Sequence, residues 1–276
     1  MPKTVAEVSN IWAEAEESPN TRKLAGVVSA DPIVANFVLR RVNSVYYGLQ
    51  RSIDDVRQAV LLLGFDEVCS LTMTVGMMQF REAAFTGEQT AIFKDIMKVS
   101  VGAAFYVRDL ARRLSLPLKE KAFIVGLQHA VGRLVMLYNR PKEYAALRRE
   151  TPRDFIPSAS EERKQLGIDH AVIGAKALKW WNMPESITLV IGHYLRPGAL
   201  KEKDLRSLAL ALSVAVAASE QLCQTTSARP GTPFFTPPVT IHALAKMKRK
   251  VSNDLVNMVR LQEEPAISYI KTMTQN

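Results

Sequence analysis

Three of the four histidines lie on apolar stretches in the second half of the chain: His129, His170 and His193. Imidazole is a common ligand for zinc, iron, nickel and copper, and helical bundles build metal sites from inward-facing histidines and carboxylates. Each residue taken alone is more simply a core histidine with satisfied hydrogen bonds. The three together raise the question of whether they converge on one site.

The stretch Ala122–Leu137 should position the first of these histidines. It is apolar on nearly every face, which predicts one helix in the interior of the protein. A buried imidazole there needs hydrogen-bond partners, because burying a polar group without them costs roughly 2–7 kcal/mol. The surroundings of His129 are therefore the functional question.

The rest of the chain predicts an all-α fold. Apolar residues recur at helical spacing throughout, and no alternating strand pattern is present. Examples are a long helix over about 90–114, a helix over 170–181 with Trp180 facing inward, and an Ala-rich helix over 205–222. We expect a cluster of short helices over 20–82 packed on a helical bundle over 90–222. A proline-rich linker and a basic amphipathic helix then occupy 223–276, all within one unit spanning 1–276.

The composition predicts a folded protein with reduced cysteines and no membrane-spanning segment. The 276 residues are 47% hydrophobic, enough for a real core, and carry 36 Lys and Arg against 27 Asp and Glu. Cys69 and Cys223 lie in apolar helical patterns and predict reduced core thiols. The longest apolar run, Leu208–Ala218, is too short to span a bilayer, and no signal-peptide pattern opens the chain. A cytoplasmic protein is expected. No glycine-rich phosphate loop, Ser-His-Asp order or nucleophilic cysteine context appears.

Two polar segments have more than one interpretation. Asn43, Ser44, Tyr46 and Tyr47 could line a partner surface, or could equally end and cap helices. The basic cluster near the C-terminus could bind nucleic acid or an acidic protein, but a solvated helix face is the favoured interpretation. Its members are Lys246, Lys248, Arg249 and Lys250.

Several motifs in order resemble one superfamily. Gly126-Leu-Gln-His129-Ala130-Val-Gly-Arg-Leu134 resembles the Gly-Leu-Leu-His-Asp-Ile-Gly-Arg-Leu motif of HD-domain metal-dependent phosphohydrolases. The segment from His170 to Pro184 is similar to the one that follows in the HDOD branch, where a His-His pair often stands at the position of His193-Tyr194. Resembling elements in the first half are Leu24–Pro32, Leu39–Gly48 and Ile53–Gly64.

The resemblance, which covers about residues 20–222, implies a non-hydrolytic domain of bacterial signalling proteins. The carboxylate of the metal-binding His-Asp pair is replaced by Ala130, and a methyl group cannot bind a metal. The superfamily's earlier histidine aligns with Asp95, and its late aspartate falls near Ser219. We therefore expect no catalytic residues, cofactor or metal. If one divalent metal does bind, its ligands would be His129, His170, His193 and Asp95.

Three functions follow from these observations. The first is a regulatory protein that binds a signalling protein or a small, nucleotide-related ligand, with a homodimer also allowed. The second is a metal-dependent nucleotide phosphohydrolase with a degenerate motif, supported by the surviving histidines alone. The third is nucleic-acid binding through the basic C-terminal helix, which is not favoured. No membrane partner is expected.

Overall fold

The computed structural model describes residues 3–15, 19–43, 49, 51–151 and 156–227. All regular structure in these ranges is helical, which confirms the all-α prediction. The predicted C-terminal helix with its basic cluster, and Ser44, Tyr46 and Tyr47, lie outside the described residues. The α-helices are α1 (Lys3–Glu14), α2 (Thr21–Ser29), α3 (Pro32–Val42), α4 (Val56–Leu63), α5 (Phe65–Ala84), α6 (Glu88–Arg113), α7 (Ala122–Gln128), α8 (Val131–Asn139), α9 (Pro141–Glu150), α10 (Ala159–Leu166), α11 (His170–Trp180), α12 (Glu185–His193) and α13 (Lys203–Ser227).

Local sequence signals set several helix ends. The Asp31 side chain accepts hydrogen bonds from the backbone N–H groups of Ile33 and Val34, and Pro32 opens α3. Gly64 ends α4 with a φ of +92°, a value that an L side chain rarely adopts. Ser158 and Glu161 form a reciprocal capping box at the start of α10. These ends follow from short polar signals in the sequence.

The chain divides into two compact units, and the first contains residues 1–85 and 178–185. Compared with the expected 20–82, this unit also takes in α1 and a later segment of the chain. The Trp12 indole N–H donates to Asp66 at 2.8 Å, which holds α1 on α5. The Ser9 hydroxyl donates to the Trp181 carbonyl, which holds the later segment on α1. Both contacts are nonlocal, so helical periodicity could not predict them.

The second unit contains residues 86–177 and 186–276, and α6 packs against α7 and α13 at its centre. Small residues permit these crossings. A Cβ atom at Gly126 would lie 2.4 Å from the Ala104 Cα on α6, and one at Gly102 would lie 2.2 Å from the Ser219 hydroxyl on α13. The helices therefore approach each other more closely than any larger side chain would allow.

The predicted single helix over 122–137 is wrong, because the chain breaks between α7 and α8 at His129 and Ala130. His129 Nδ1 hydrogen-bonds the Gly126 carbonyl at 2.7 Å, and the Arg133 N–H bonds the Ala130 carbonyl in a tighter turn. Ala130 has φ −96° and ψ 8°, outside the helical region. Both halves are equally apolar, so the pattern of apolar residues did not reveal the break.

The predicted inward orientation of Trp180 is also wrong. Its side chain is 83% exposed, and Leu178 is buried in its place. Trp180 is the last residue of α11. At the end of a helix the spacing of apolar residues assigns a residue to the buried or the exposed face less well, because few further turns follow it.

Among the described helices, none taken alone is both long and apolar enough to cross a bilayer. Helix α4 and the first part of α5, Phe65–Gly76, meet the requirement as a pair, and they are bent by 113° at the break between them.

Candidate functional site

His129 ends α7 in the interior of the second unit and is fully buried. Its Nδ1 bonds the Gly126 carbonyl, so Nδ1 carries the hydrogen and donates it. No described group bonds Nε2. Burial lowers the pKa of His129 to about 3, and the positive charge of Arg133 acts in the same direction, against the opposing effect of the Gly126 bond. His129 is therefore a neutral imidazole with one free lone pair.

His170 opens α11 and is bonded at both ring nitrogens. Nδ1 donates to Glu162 Oε2 at 2.5 Å, and Nε2 accepts from the Tyr194 hydroxyl at 2.5 Å. The His170 backbone N–H also donates to Glu162 Oε2, at 2.8 Å. Burial lowers the pKa of His170, and Arg133 lowers it further against the opposing effect of Glu162. The ring is a neutral bridge between a carboxylate and a phenol.

Arg133 compensates the charge of Glu162 from the other side. Its Nε donates to Glu162 Oε1 at 3.3 Å, and its two terminal nitrogens donate to Glu220 Oε1 at 3.3 and 3.4 Å. The Tyr144 hydroxyl donates to Glu162 Oε1 at the long distance of 3.5 Å. We call this set the Glu162 network; its members are Tyr144, Arg133, Glu162, His170, Tyr194 and Glu220.

The electrostatics of the Glu162 network explain its protonation. Burial alone would raise the pKa of Glu162, but His170 and Arg133 together hold it below its usual value. Burial would lower the pKa of Arg133, and the two carboxylates, Glu162 and Glu220, raise it instead. The network therefore contains an ionised arginine and ionised Glu162 in the interior, an arrangement that stands only when both are paired.

Two local features assemble the Glu162 network. Gly132 precedes Arg133 on α8, and a Cβ atom there would lie 2.0 Å from the His170 carbonyl oxygen. Glycine thus lets α8 touch the start of α11. The capping box at Ser158 and Glu161 fixes the first turn of α10, and the next residue, Glu162, then points inward.

Some of the predicted site residues come together and others do not. The rings of His129 and His170 flank Tyr194, with ring centroids 5.8 and 6.0 Å from the phenol. Ala130 is buried beside them in sequence. His193 instead bonds the Leu189 carbonyl of its own helix through Nδ1 at 2.9 Å.

Asp95 and Ser219 make other contacts. Asp95 pairs with Lys98 at 3.1 Å and with Arg148 at 2.9 Å. The Ser219 hydroxyl donates to the Val99 carbonyl at 2.9 Å. Within the described ranges, no three or more His, Cys, Asp or Glu side chains are placed to hold a metal ion. The four ligands named for a single metal are therefore not assembled there.

The donors present do not fit the metal centre of an HD hydrolase. Ala130 supplies no donor atom, and both nitrogens of His170 already have hydrogen-bond partners. The lone pair on His129 Nε2 is a single ligand, whereas a hydrolytic metal centre needs three or more protein ligands.

Sequence reasoning missed the residue at the centre of the site, Glu162. It lies in the charged run Glu161–Leu166, which resembles a solvent-exposed helix face. The capping signal at Ser158 could have indicated the burial of Glu162. A cap that places Glu161 at the surface puts the next residue about 100° further around the helix, away from that exposed position. Glu220 and Tyr144 gave no signal in the sequence.

Asn43 belongs to the proposed partner surface and has a local structural role. Its amide donates to the carbonyls of Leu39 at 2.9 Å and Ile53 at 2.7 Å, and its oxygen accepts from the Ile53 N–H at 2.7 Å. The side chain therefore caps α3 and ties it to the start of the next segment. Contact with a partner stays a prediction for this residue.

The comparisons with known proteins agree with this fold. The family model of the HDOD domain matches residues 1–197. An uncharacterised protein of Treponema pallidum is 23% identical over 206 residues, which are 73% of this chain and 38% of that protein. The chain thus spans well under half the length of this curated relative.

Two crystal structures have the same fold. One is from Shewanella amazonensis, and its name assigns it provisionally to the phosphohydrolases; it is 21% identical, with a TM-score of 0.70 over 99% of this chain and 94% of that one. The other is from Marinobacter aquaeolei, and its name assigns it provisionally to signal transduction. It is 20% identical, with a TM-score of 0.67 over 99% of this chain and 59% of that one. Because the family model covers most of the sequence, the chain belongs to the HDOD domain family.

Proposed function

We propose that this chain is a bacterial signal-transduction or regulatory domain that acts by binding a protein partner or a small ligand, without hydrolysis. One observation carries the proposal: both ring nitrogens of His170 are hydrogen-bonded, one to Glu162 and the other to Tyr194. In the His-Asp motif of the same site, Ala130 stands where the aspartate would be. The name of the Marinobacter aquaeolei structure supports the signalling class.

The Glu162 network suits a binding domain better than a catalyst. Activation of water by a metal requires protein side chains whose lone pairs bind the metal, and an open coordination position on the metal for the water. Here the donors of His170, Arg133 and Tyr144 are directed at one carboxylate, which supports our proposal of a degenerate metal position. We expect a cytoplasmic protein that needs no cofactor.

The second candidate is a metal-dependent nucleotide phosphohydrolase, and His129 favours it. Nε2 of this residue is buried and has no described partner. A buried imidazole lone pair is unusual unless a ligand or a water molecule occupies the space beside it. One lone pair does not make a hydrolytic centre, and for that reason we rank this function second.

Metal analysis together with hydrolysis assays separates the two functions. The purified chain is measured for bound transition metals and then incubated with cyclic dinucleotides and nucleoside phosphates in added Mn²⁺ or Mg²⁺. We expect less than stoichiometric metal and no turnover. Stoichiometric metal, with turnover that disappears in His129→Ala, would reject the regulatory proposal.

Capture of a partner from the native host tests the regulatory role directly. The immobilised chain should retain a specific protein after washing at moderate salt. Trp180→Ser is a useful companion variant, because this side chain is 83% exposed and its loss should not disturb the core. Capture that is no different from an unrelated basic protein of equal charge would count against a protein partner.

A further inference from the structure

The Glu162 network reaches the protein surface through one side chain, Glu220 on α13. Arg133 is 2% exposed and Glu162 is completely buried, whereas the side chain of Glu220 is 31% exposed. The other members are also buried. Glu220 therefore lies between the buried arginine and the solvent.

The contact between Glu220 and Arg133 is poorly formed. Both terminal nitrogens of the guanidinium donate to the same oxygen, Glu220 Oε1, at 3.3 and 3.4 Å. A well-formed arginine–carboxylate pair has two parallel bonds to two oxygens at roughly 2.7–2.9 Å. The Nη1 atom of Arg133 has no other acceptor among the described residues. The hydrogen-bonding capacity of the guanidinium is therefore only partly satisfied where it faces Glu220.

The geometry points to an oxyanion site at Arg133, in which the Glu220 carboxylate is a built-in occupant that phosphate or a phosphate monoester displaces. A tetrahedral anion presents separate oxygens to the two terminal nitrogens, which one carboxylate oxygen cannot do. Arginine is the side chain best suited to such two-point contact. This inference names the class of the small ligand and rests on the proposed binding function.

The charge of Glu220 should therefore oppose ligand binding. An incoming phosphate must break the bonds of Glu220 to Arg133 and also overcome the repulsion between two anions. Glu220→Gln keeps the size of the side chain but removes its charge, which leaves the guanidinium edge without a charged acceptor. Bonds to charged groups are strong enough that the gain should be roughly tenfold or more in affinity.

The experiment titrates the full chain with inorganic phosphate and, separately, with AMP. Calorimetry is done at constant ionic strength with EDTA present, on the wild type, Glu220→Gln and Glu143→Gln. Glu143 is an exposed residue of α9, so its substitution removes the same charge without touching Arg133. We expect Glu220→Gln to bind at least tenfold more tightly than the other two. Arg133→Lys should lose binding, and the Glu220 comparison stands even where that variant is too unstable to purify.

The outcomes are distinct. Equal affinities for the three proteins, or equal gains in both glutamine variants, would overturn the oxyanion site. Tighter binding of AMP than of phosphate assigns the site to a phosphate monoester, and the reverse assigns it to free phosphate. Release of phosphate from AMP would reject the non-hydrolytic function while leaving the anion site intact, so the two proposals fail separately.

Discussion

Replacement of Glu162 by glutamine should destabilise the protein by about 3–5 kcal/mol, although the two side chains have the same shape. The Glu162 carboxylate accepts four hydrogen bonds: from the His170 N–H, His170 Nδ1, Arg133 Nε and the Tyr144 hydroxyl. A glutamine amide has one acceptor oxygen and presents an NH₂ group in place of the other. At least two buried donors lose their acceptor, at about 1–3 kcal/mol each.

The neighbouring residue provides a matched control. Glu161 accepts a bond from the Ser158 N–H at 2.7 Å in the capping box, and glutamine serves equally well at that position. Glu161→Gln should therefore change the free energy of unfolding by less than about 0.5 kcal/mol. The two variants are chemically identical changes one residue apart, so their difference isolates the effect of the Glu162 network.

Urea unfolding followed by circular dichroism measures both changes. A further variant combines Glu162→Gln with Arg133→Gln, which removes the buried positive charge as well. Because the two residues are paired, the double variant should lose less stability than the sum of the single losses, by about 1 kcal/mol or more. A cost below about 1 kcal/mol for Glu162→Gln, or equal costs for residues 161 and 162, would refute the described network.

Three other predictions follow from particular contacts. The pKa of His129 is about 3 in the folded protein and 6.5 in the unfolded chain. As the pH falls, the unfolded state therefore binds the proton first, and the stability that neutral His129 contributes is lost between pH 6.5 and 3. The loss is about 1.4 kcal/mol per pH unit, and His129→Asn should remove that part of the slope in urea titrations at pH 7, 6 and 5. Gly102→Ala should lower stability by about 1–3 kcal/mol because its methyl group meets the Ser219 hydroxyl, and Ser219→Gly should restore part of this loss in a thermal melt. Trp180→Ser should leave the free energy of unfolding within about 0.5 kcal/mol of the wild type while removing solvent-exposed tryptophan fluorescence.

The sequence was sufficient for the fold class and for most helices. Apolar spacing of three and four residues is a local property, and so are the caps at Asp31 and Gly64, so both can be recognised without knowledge of tertiary contacts. The same reasoning placed His129 and His170 in the interior, where the structure also has them.

The candidate site was harder to predict, because its central interactions join residues far apart in the chain. Glu162 lies in a run of charges that is typical of a solvated surface, and its burial is stabilised by partners on α8, α9 and α11. The break at His129 depends on a side chain competing for the Gly126 carbonyl, which apolar periodicity does not report. The spacing of apolar residues describes one helix at a time, whereas the burial of a charge depends on side chains from several helices.

The later segment of the first unit, residues 178–185, has a consequence for synthesis on the ribosome. Helix α1 emerges long before residue 181, but the carbonyl that accepts the Ser9 hydroxyl belongs to Trp181. The N-terminal helices must therefore wait, without this closing segment, while residues 86–177 of the second unit are being translated. A fragment that stops near residue 85 would never acquire it, so the order of translation and the order of completion differ in this protein.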